Sequence, residues 1–281
     1  MSVVNTRIWI KKFIEQCEKN PRKNPAAFQV ESICTPLQSV FPHIPPKDLM
    51  ALLLKHGLFN AKEWQEISRI NIDPSLQDPW VTIEKDFQLL KKRWNGPDCP
   101  IYILPIRTDL KTSDESPFEK NGLAFKQGVF LFISPSLSLG SLKAIFAHEY
   151  NHVCRLHQLN VPIEKMTLKE SLIIEGLGEY SVKELGGERF LAPWTHLYTE
   201  AERIKIWKKA FLPELTREGT DHHRKFLYGT NKKALPKWIG YHIGFHIICS
   251  YIEQNGPRSM KQLLTVSSDE IICKSAFKLD N

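Results

Sequence analysis

Five consecutive residues, His148-Glu149-Tyr150-Asn151-His152, carry the densest chemistry in this sequence. On a helix the two histidines share one face, about 6 Å apart along the axis at ~1.5 Å per residue. Two neutral imidazoles so placed can take two corners of a zinc tetrahedron. Glu149, turned roughly 100° around the helix, is then set to handle the proton of a water. With 10 His in the chain, a chance match to H-E-x-x-H has modest but real odds, so the pattern needs a partner elsewhere.

Glu175 and Glu179 supply one. They stand four apart in Glu170-Ser171-Leu172-Ile173-Ile174-Glu175-Gly176-Leu177-Gly178-Glu179-Tyr180, and share a helix face. A solvated acidic pair is the plain alternative, but Ile173, Ile174 and Leu177 around Glu175 argue against it. If helices ending at Leu159 and starting at Leu168 lie antiparallel, His152 and Glu175 come level, and His148 and Glu179 match one turn further out. A catalytic zinc takes three protein ligands and leaves one position open. His148, His152 and Glu175 make that set for one Zn2+, and Glu179 is placed to accept the second N–H of His148. Gly176 and Gly178 weaken a helix by about 1 kcal/mol each, so close packing of the two helices around the metal is their expected reason.

The elements that must hold these groups are legible from spacing. Leu142, Ile145, Phe146, Val153 and Leu156 surround the histidines at helical intervals, giving a helix over 139–159 with both rings toward its buried side. Ser136, Ser138 or Ser141 can cap it. Thr167 to Glu170 has the form of a capping box opening a second helix that stops at Gly186-Gly187. Residues 101–104, 123–125 and 129–133 are expected as strands of a small sheet, and an edge strand beside a metal site can bind an extended peptide through its main chain. Residues 109–120 read as a mobile loop. Upstream, 3–19, 47–54 and 60–70 show helical spacing, so residues 1–75 are expected as an all-helical N-terminal region, followed by a helix over 80–94.

In the last third, 238–254 is a helix bounded by Pro236 and Gly256-Pro257, with Tyr241 between Gly240 and Gly244. His242 and His246 have chelating spacing without an accompanying acid, which favours core or supporting roles. Residues 219–224 read as a solvated polar loop. His223 in that stretch, like His242, is a candidate contact to an oxyanion or substrate.

The three segments H-E-x-x-H, Glu175-Gly176-Leu177-Gly178-Glu179-Tyr180 and Ile239-Gly240-Tyr241-His242-Ile243-Gly244 together resemble the gluzincin metallopeptidases, in which the E-G glutamate is the third zinc ligand. They look most like the YjaZ-type family of predicted zinc-dependent proteases, over roughly residues 80 to 281. The resemblance implies a zincin-like domain, one zinc, and a phenol from Tyr241 aimed at the oxygen that gains charge. A core tyrosine with a satisfied hydroxyl is the alternative for Tyr241. The family's E-G-x-A-E core departs here at Gly178, where Ala is common, a change expected to leave the ligands untouched.

Composition narrows the classes. The chain has 281 residues with 42% hydrophobic content, enough for a sizeable core, and no apolar run near the ~20 residues that span a bilayer. Without a basic start followed by an apolar stretch, it is expected in the cytoplasm. The net charge of +7 is spread in short runs such as Lys91-Lys92-Arg93 without aromatic interleaving, which argues against nucleic acid as a partner. Six cysteines contain no C-x-x-C, and most read as ordinary buried thiols. The expectation is an α+β, zincin-like protein, mostly helical, with a small antiparallel or mixed sheet beside the H-E-x-x-H helix. Residues 76–281 would be a metallopeptidase domain acting on a peptide or protein, with Glu149 as general base and no membrane partner. The rival from another class is a zinc-stabilised chaperone-like or regulatory binding protein on the same scaffold with little turnover.

Overall fold

Four short runs pair into one mixed sheet in the order β1-β2-β4-β3, with β1 at Val3–Val4, β2 at Ile101–Pro105, β3 at Lys120–Phe125 and β4 at Gly128–Ile133. β1 and β4 run parallel to β2, with Val3 and Val129 both in register with Ile101. β3 and β4 form an antiparallel hairpin in which Phe125 faces Gly128. Because β4 is paired on both sides, the edge strand beside it is β3. The computed structural model describes residues 2–69, 78–108, 120–230 and 235–278. The chain is α+β and mostly helical, and it divides into one unit of residues 1–89 with 98–146 and a second of 90–97 with 147–281. All but one residue of the loop expected at 109–120 lies outside the described residues, as does the end of the helix expected over 60–70.

In the first unit the N-terminal segment shares its core with the sheet. Phe13, Cys17, Ile33, Leu37, Leu49, Leu53 and Phe59 are buried together with Tyr102, Leu104, Phe130 and Phe132, which alternate along β2 and β4 and therefore point to one face. The start of this segment is not helical. Val3 and Val4 suit a pleated strand, and the amides of Ser2 and Val3 both donate to Glu84 Oε2 at 2.9 Å, which fixes them before the helix Arg7–Lys19 begins.

The second unit contains one long helix from residue 147 onward and two further long helices. The histidine helix, Leu139–Leu159, carries the H-E-x-x-H residues; the glutamate helix, Leu168–Gly186, carries Glu175 and Glu179; the tyrosine helix, Ile239–Asn255, carries Tyr241. The glutamate helix is not opened by the expected capping box. Thr167 makes no side-chain cap, and Glu170 turns instead toward the buried Arg155 at 3.5 Å while accepting from Ser268 Oγ at 2.7 Å. The first helical amides are satisfied by main chain, Leu168 donating to Arg217 O and Lys169 to Leu215 O.

Arg155, three residues beyond His152 and only 2% exposed, also donates to the carbonyls of Leu264 and Val266 at 2.7 Å each and to Ser268 Oγ. Its guanidinium thus holds the C-terminal segment under the histidine helix. Replacing it by Met leaves two buried carbonyls and Glu170 without their donor, at an expected cost of about 3–5 kcal/mol. Hydrogen-exchange protection of residues 264–268 should fall sharply in Arg155→Met; unchanged protection refutes the anchoring role.

None of the six cysteines is in a disulfide; Cys17, Cys34, Cys99 and Cys154 are buried, Cys249 is half-buried and Cys273 is exposed. No helix among the described residues is long and apolar enough to cross a membrane.

Candidate metal centre

Helical spacing brings the His148 and His152 rings edge to face with centroids 4.5 Å apart. From the glutamate helix, Glu175 Oε2 lies 3.4 Å from His148 Nε2 and 3.4 Å from His152 Nε2. The three ligand atoms all fall within 4.8 Å of one another, and among the described residues this is the one group of three or more His, Cys, Asp or Glu so arranged. Glu175 Oε2 is buried and takes no hydrogen bond from the protein. That is an expensive condition for a carboxylate oxygen unless a cation accompanies it. Zinc bonds of ~2.0–2.2 Å in a tetrahedron set ligand atoms ~3.3–3.6 Å apart, which the two 3.4 Å separations match. The residues present therefore fit a zinc ion.

Electrostatics point the same way. For His148, burial opposes the charge, but the contacts with Glu175 and Glu179 and the charge of Glu149 hold the pKa well above the usual imidazole value. For Glu175, burial favours the neutral acid, yet His152 and His148 outweigh it and keep the carboxyl below its ordinary value. The cluster is a buried arrangement that favours positive charge at its centre. Glu149, 8% exposed, has its carboxyl raised by burial, with the two histidines pulling down and Glu175 pushing up.

A second carboxylate seats the first ring. Glu179 Oε2 lies 3.3 Å from His148 Nδ1, and its Oε1 accepts from the Ala192 amide at 2.6 Å. Glu179 is 3% exposed, so both contacts are made in a nearly water-free setting. His152 has no such support, since its Nδ1 is buried without a partner.

The two glycines serve different neighbours. A Cβ on Gly178 would lie 2.8 Å from His152 Cε1 and 3.1 Å from His148 Cε1 and Nε2. This position therefore rests directly on both imidazoles, and a side chain there touches the ligands. A Cβ on Gly176 would meet Gly244 O at 2.2 Å, and one on Gly244 would meet Leu172 O at 2.4 Å. That pair lets the glutamate and tyrosine helices come into backbone contact, whereas Gly178 makes room for the rings.

Three other histidines are held by hydrogen bonds to the surrounding fold. Residues 219–224 are not a solvated loop, because a helix runs over Thr220–Tyr228 and His223 on it is fully buried. Its Nδ1 pairs with Ser171 Oγ and its Nε2 with Arg217 O, both at 2.8 Å, leaving no ring nitrogen for a substrate. His242 is also fully buried and bonds through Nδ1 to Trp194 O at 2.9 Å, while His246 Nε2 bonds to Thr195 O at 3.0 Å. Burial pushes both down to about 4, so they are neutral struts holding the 193–196 turn to the tyrosine helix.

Tyr241 donates its hydroxyl proton to Tyr228 Oη at 3.2 Å. Its own acidity is suppressed first by burial, then by the charges of Glu175 and Glu149 and by Tyr228, so this phenol lies within electrostatic reach of the cluster. Tyr228 is raised by burial and feels the same two carboxylates. Trp194, Tyr228 and Trp238 ring Tyr241 at centroid distances of 5.3–5.4 Å. Sequence reading passed over Tyr228, Trp194 and Trp238; no spacing rule links residue 228 to 241, which lie on different helices.

Comparison with known proteins points to a zinc-dependent family. The family described as "Predicted Zn-dependent protease (DUF2268)" matches residues 79–273. "Uncharacterized protein YjaZ" of Bacillus subtilis (strain 168) is 36% identical over 211 residues, which cover 73% of this chain and 78% of that protein. "Uncharacterized protein YjfC" of the same organism is 24% identical over 136 residues, 45% of each chain. No solved structure shows a significant match.

Proposed function

Because the chain belongs to the YjaZ-type family of predicted Zn-dependent proteases, we propose that it is a gluzincin peptidase that binds one zinc through His148, His152 and Glu175. The observation that carries this reading is the convergence of two imidazole nitrogens on one buried, unpaired carboxylate oxygen. When bound there, zinc would polarise a scissile carbonyl and lower the pKa of a water at its open position.

The chain's own residues divide the remaining work. Glu149, buried beside the cluster, takes a proton from the attacking water and returns it to the nitrogen of the leaving amine. The linked phenols of Tyr241 and Tyr228 supply one hydrogen-bond donor to the carbonyl oxygen as it takes up negative charge. Glu179 holds the His148 ring through Nδ1, leaving Nε2 as the ligand atom. The substrate class is a peptide or protein.

Metal analysis of the purified chain, paired with a mass-spectrometric digest of a peptide library, tests this. One zinc per chain with cleavage abolished by a chelator and restored by zinc is the expected result. Zinc retained with no cleavage across the library instead supports a zinc-stabilised binding protein. A second expectation concerns Glu179. Its replacement by Ala should weaken zinc about 10–100-fold in a competition titration with a chelating dye, the usual effect of removing a carboxylate behind a ligating histidine. Equal affinity in parent and variant would show that the Glu179 contact does not tune the ligand.

A further inference from the structure

Building on the peptidase reading, we propose that Tyr228 is the phenol that contacts the substrate carbonyl oxygen, and that Tyr241 behind it positions and polarises Tyr228. The hydrogen bond has a direction. Tyr241 spends its hydroxyl proton on Tyr228 Oη, so the proton free to be donated onward is that of Tyr228. Donation into an oxygen makes its own O–H a better donor, and hydrogen bonds in a chain strengthen one another in a poorly solvated setting. No proton changes hands in this step; Tyr228 stays a phenol and supplies a hydrogen bond.

Exposure fits the same order. Tyr228 is 39% exposed, whereas Tyr241 is half-buried among the rings of Trp194, Trp238 and Tyr228. A substrate entering from solvent meets the outer phenol first. The tyrosine helix touches the glutamate helix where Gly244 meets Gly176, the neighbour of Glu175, and it touches Leu227 at Gly240, so Tyr241 and Tyr228 stand beside the centre rather than in a remote core; the charges of Glu175 and Glu149 act on both hydroxyls.

The backbone holds Tyr228 with unusual firmness for an exposed residue. Trp238 adopts φ +62, a left-handed conformation that aromatic residues rarely take, and its amide donates to Tyr228 O at 2.9 Å. The Trp238 ring also packs on that of Tyr228 at 5.1 Å. Next to Tyr228, Gly229 has φ +78, and a Cβ there would lie 2.1 Å from Pro236 O, so only glycine fits at this position. Strained backbone persists where surrounding structure enforces it, and such places concentrate at sites of function. A donor that must meet an oxygen within a few tenths of an ångström needs this kind of support.

The test uses the zinc-loaded full chain with Tyr228→Phe, Tyr241→Phe and both together. On a peptide selected from the library digest, Tyr228→Phe is expected to lower kcat by about 10²–10³-fold with little change in KM, the loss typical of a missing oxyanion donor. Tyr241→Phe should cost about 10-fold, and the double variant should match Tyr228→Phe alone, because the inner phenol acts only through the outer one. Calorimetric affinity for a phosphinic peptide, whose tetrahedral oxyanion mimics the charged carbonyl, should fall in the same order, with zinc at one per chain throughout. A Tyr228→Phe variant with the parent's kcat and phosphinic-peptide affinity overturns the proposal, as do losses that simply add in the double variant. A zinc-loaded parent that neither cleaves the library nor binds the phosphinic peptide refutes the peptidase reading itself, and the role of Tyr228 with it.

Discussion

Glu149→Gln is expected to remove peptide hydrolysis by about 10²–10⁴-fold, the contribution of a positioned general base, while zinc remains at one per chain. The amide matches the carboxylate in volume and cannot accept a proton, so the substitution isolates that one capability. Glu149 is not among the three converging ligand atoms, and its carboxyl is buried against the charges of His152 and His148. Losing its ionisable form therefore changes the chemistry without opening a cavity or removing a ligand. Kinetics on a fluorogenic peptide, alongside metal analysis of the same preparation, decide the matter. Cleavage at the parent rate removes Glu149 from the mechanism; loss of zinc together with activity would mean that the residue supports the cluster instead of serving the reaction.

What could be read from the sequence is what depends on local period. The helix around His148 and His152 follows from apolar spacing, and counting inward from two helix ends sets Glu175 against the histidines and Glu179 against His148. The rest depends on competition between distant groups, which no window displays. Thr167 and Glu170 have the letters of a capping box, but a buried guanidinium 15 residues upstream claims the carboxylate. An unpaired buried charge costs more than a missing cap, so Arg155 prevails. His223 sits in a polar stretch that looks like loop, yet Ser171 and the carbonyl of Arg217 draw it into the core. Gly176 and Gly178 are two residues apart on one helix and therefore point to different sides, one to the tyrosine helix and one to the imidazoles. Letters alone do not separate those duties. β1 was hidden because two residues are too few to show alternation; it is defined by its partner β2, nearly 100 residues away.

Glu175→Gln should release the metal. A structural zinc site with four ligands is worth about 10–16 kcal/mol, or ~3 kcal/mol for each, so converting the one charged ligand to a neutral amide is expected to weaken zinc by at least about 10²-fold. The consequence reaches stability. A zinc concentration of 100 times the dissociation constant stabilises the folded parent by ~2.7 kcal/mol, and the same concentration should scarcely stabilise the variant. Melting curves with and without added zinc separate two roles for this residue. If Glu175 is a ligand, only the parent responds to zinc, even though the metal-free variant also loses the contacts that Glu175 makes with the histidines. If it is instead a partner for protonated His148 and His152, the variant loses stability without metal, because two buried cations are left facing each other, and added zinc raises both proteins equally. The first pattern is expected, because the Glu175 oxygen is shared evenly between two Nε2 atoms at 3.4 Å and forms no hydrogen bond to either. A carboxylate pairing with one imidazolium would close on a single N–H at ~2.7–2.9 Å instead of standing off from both.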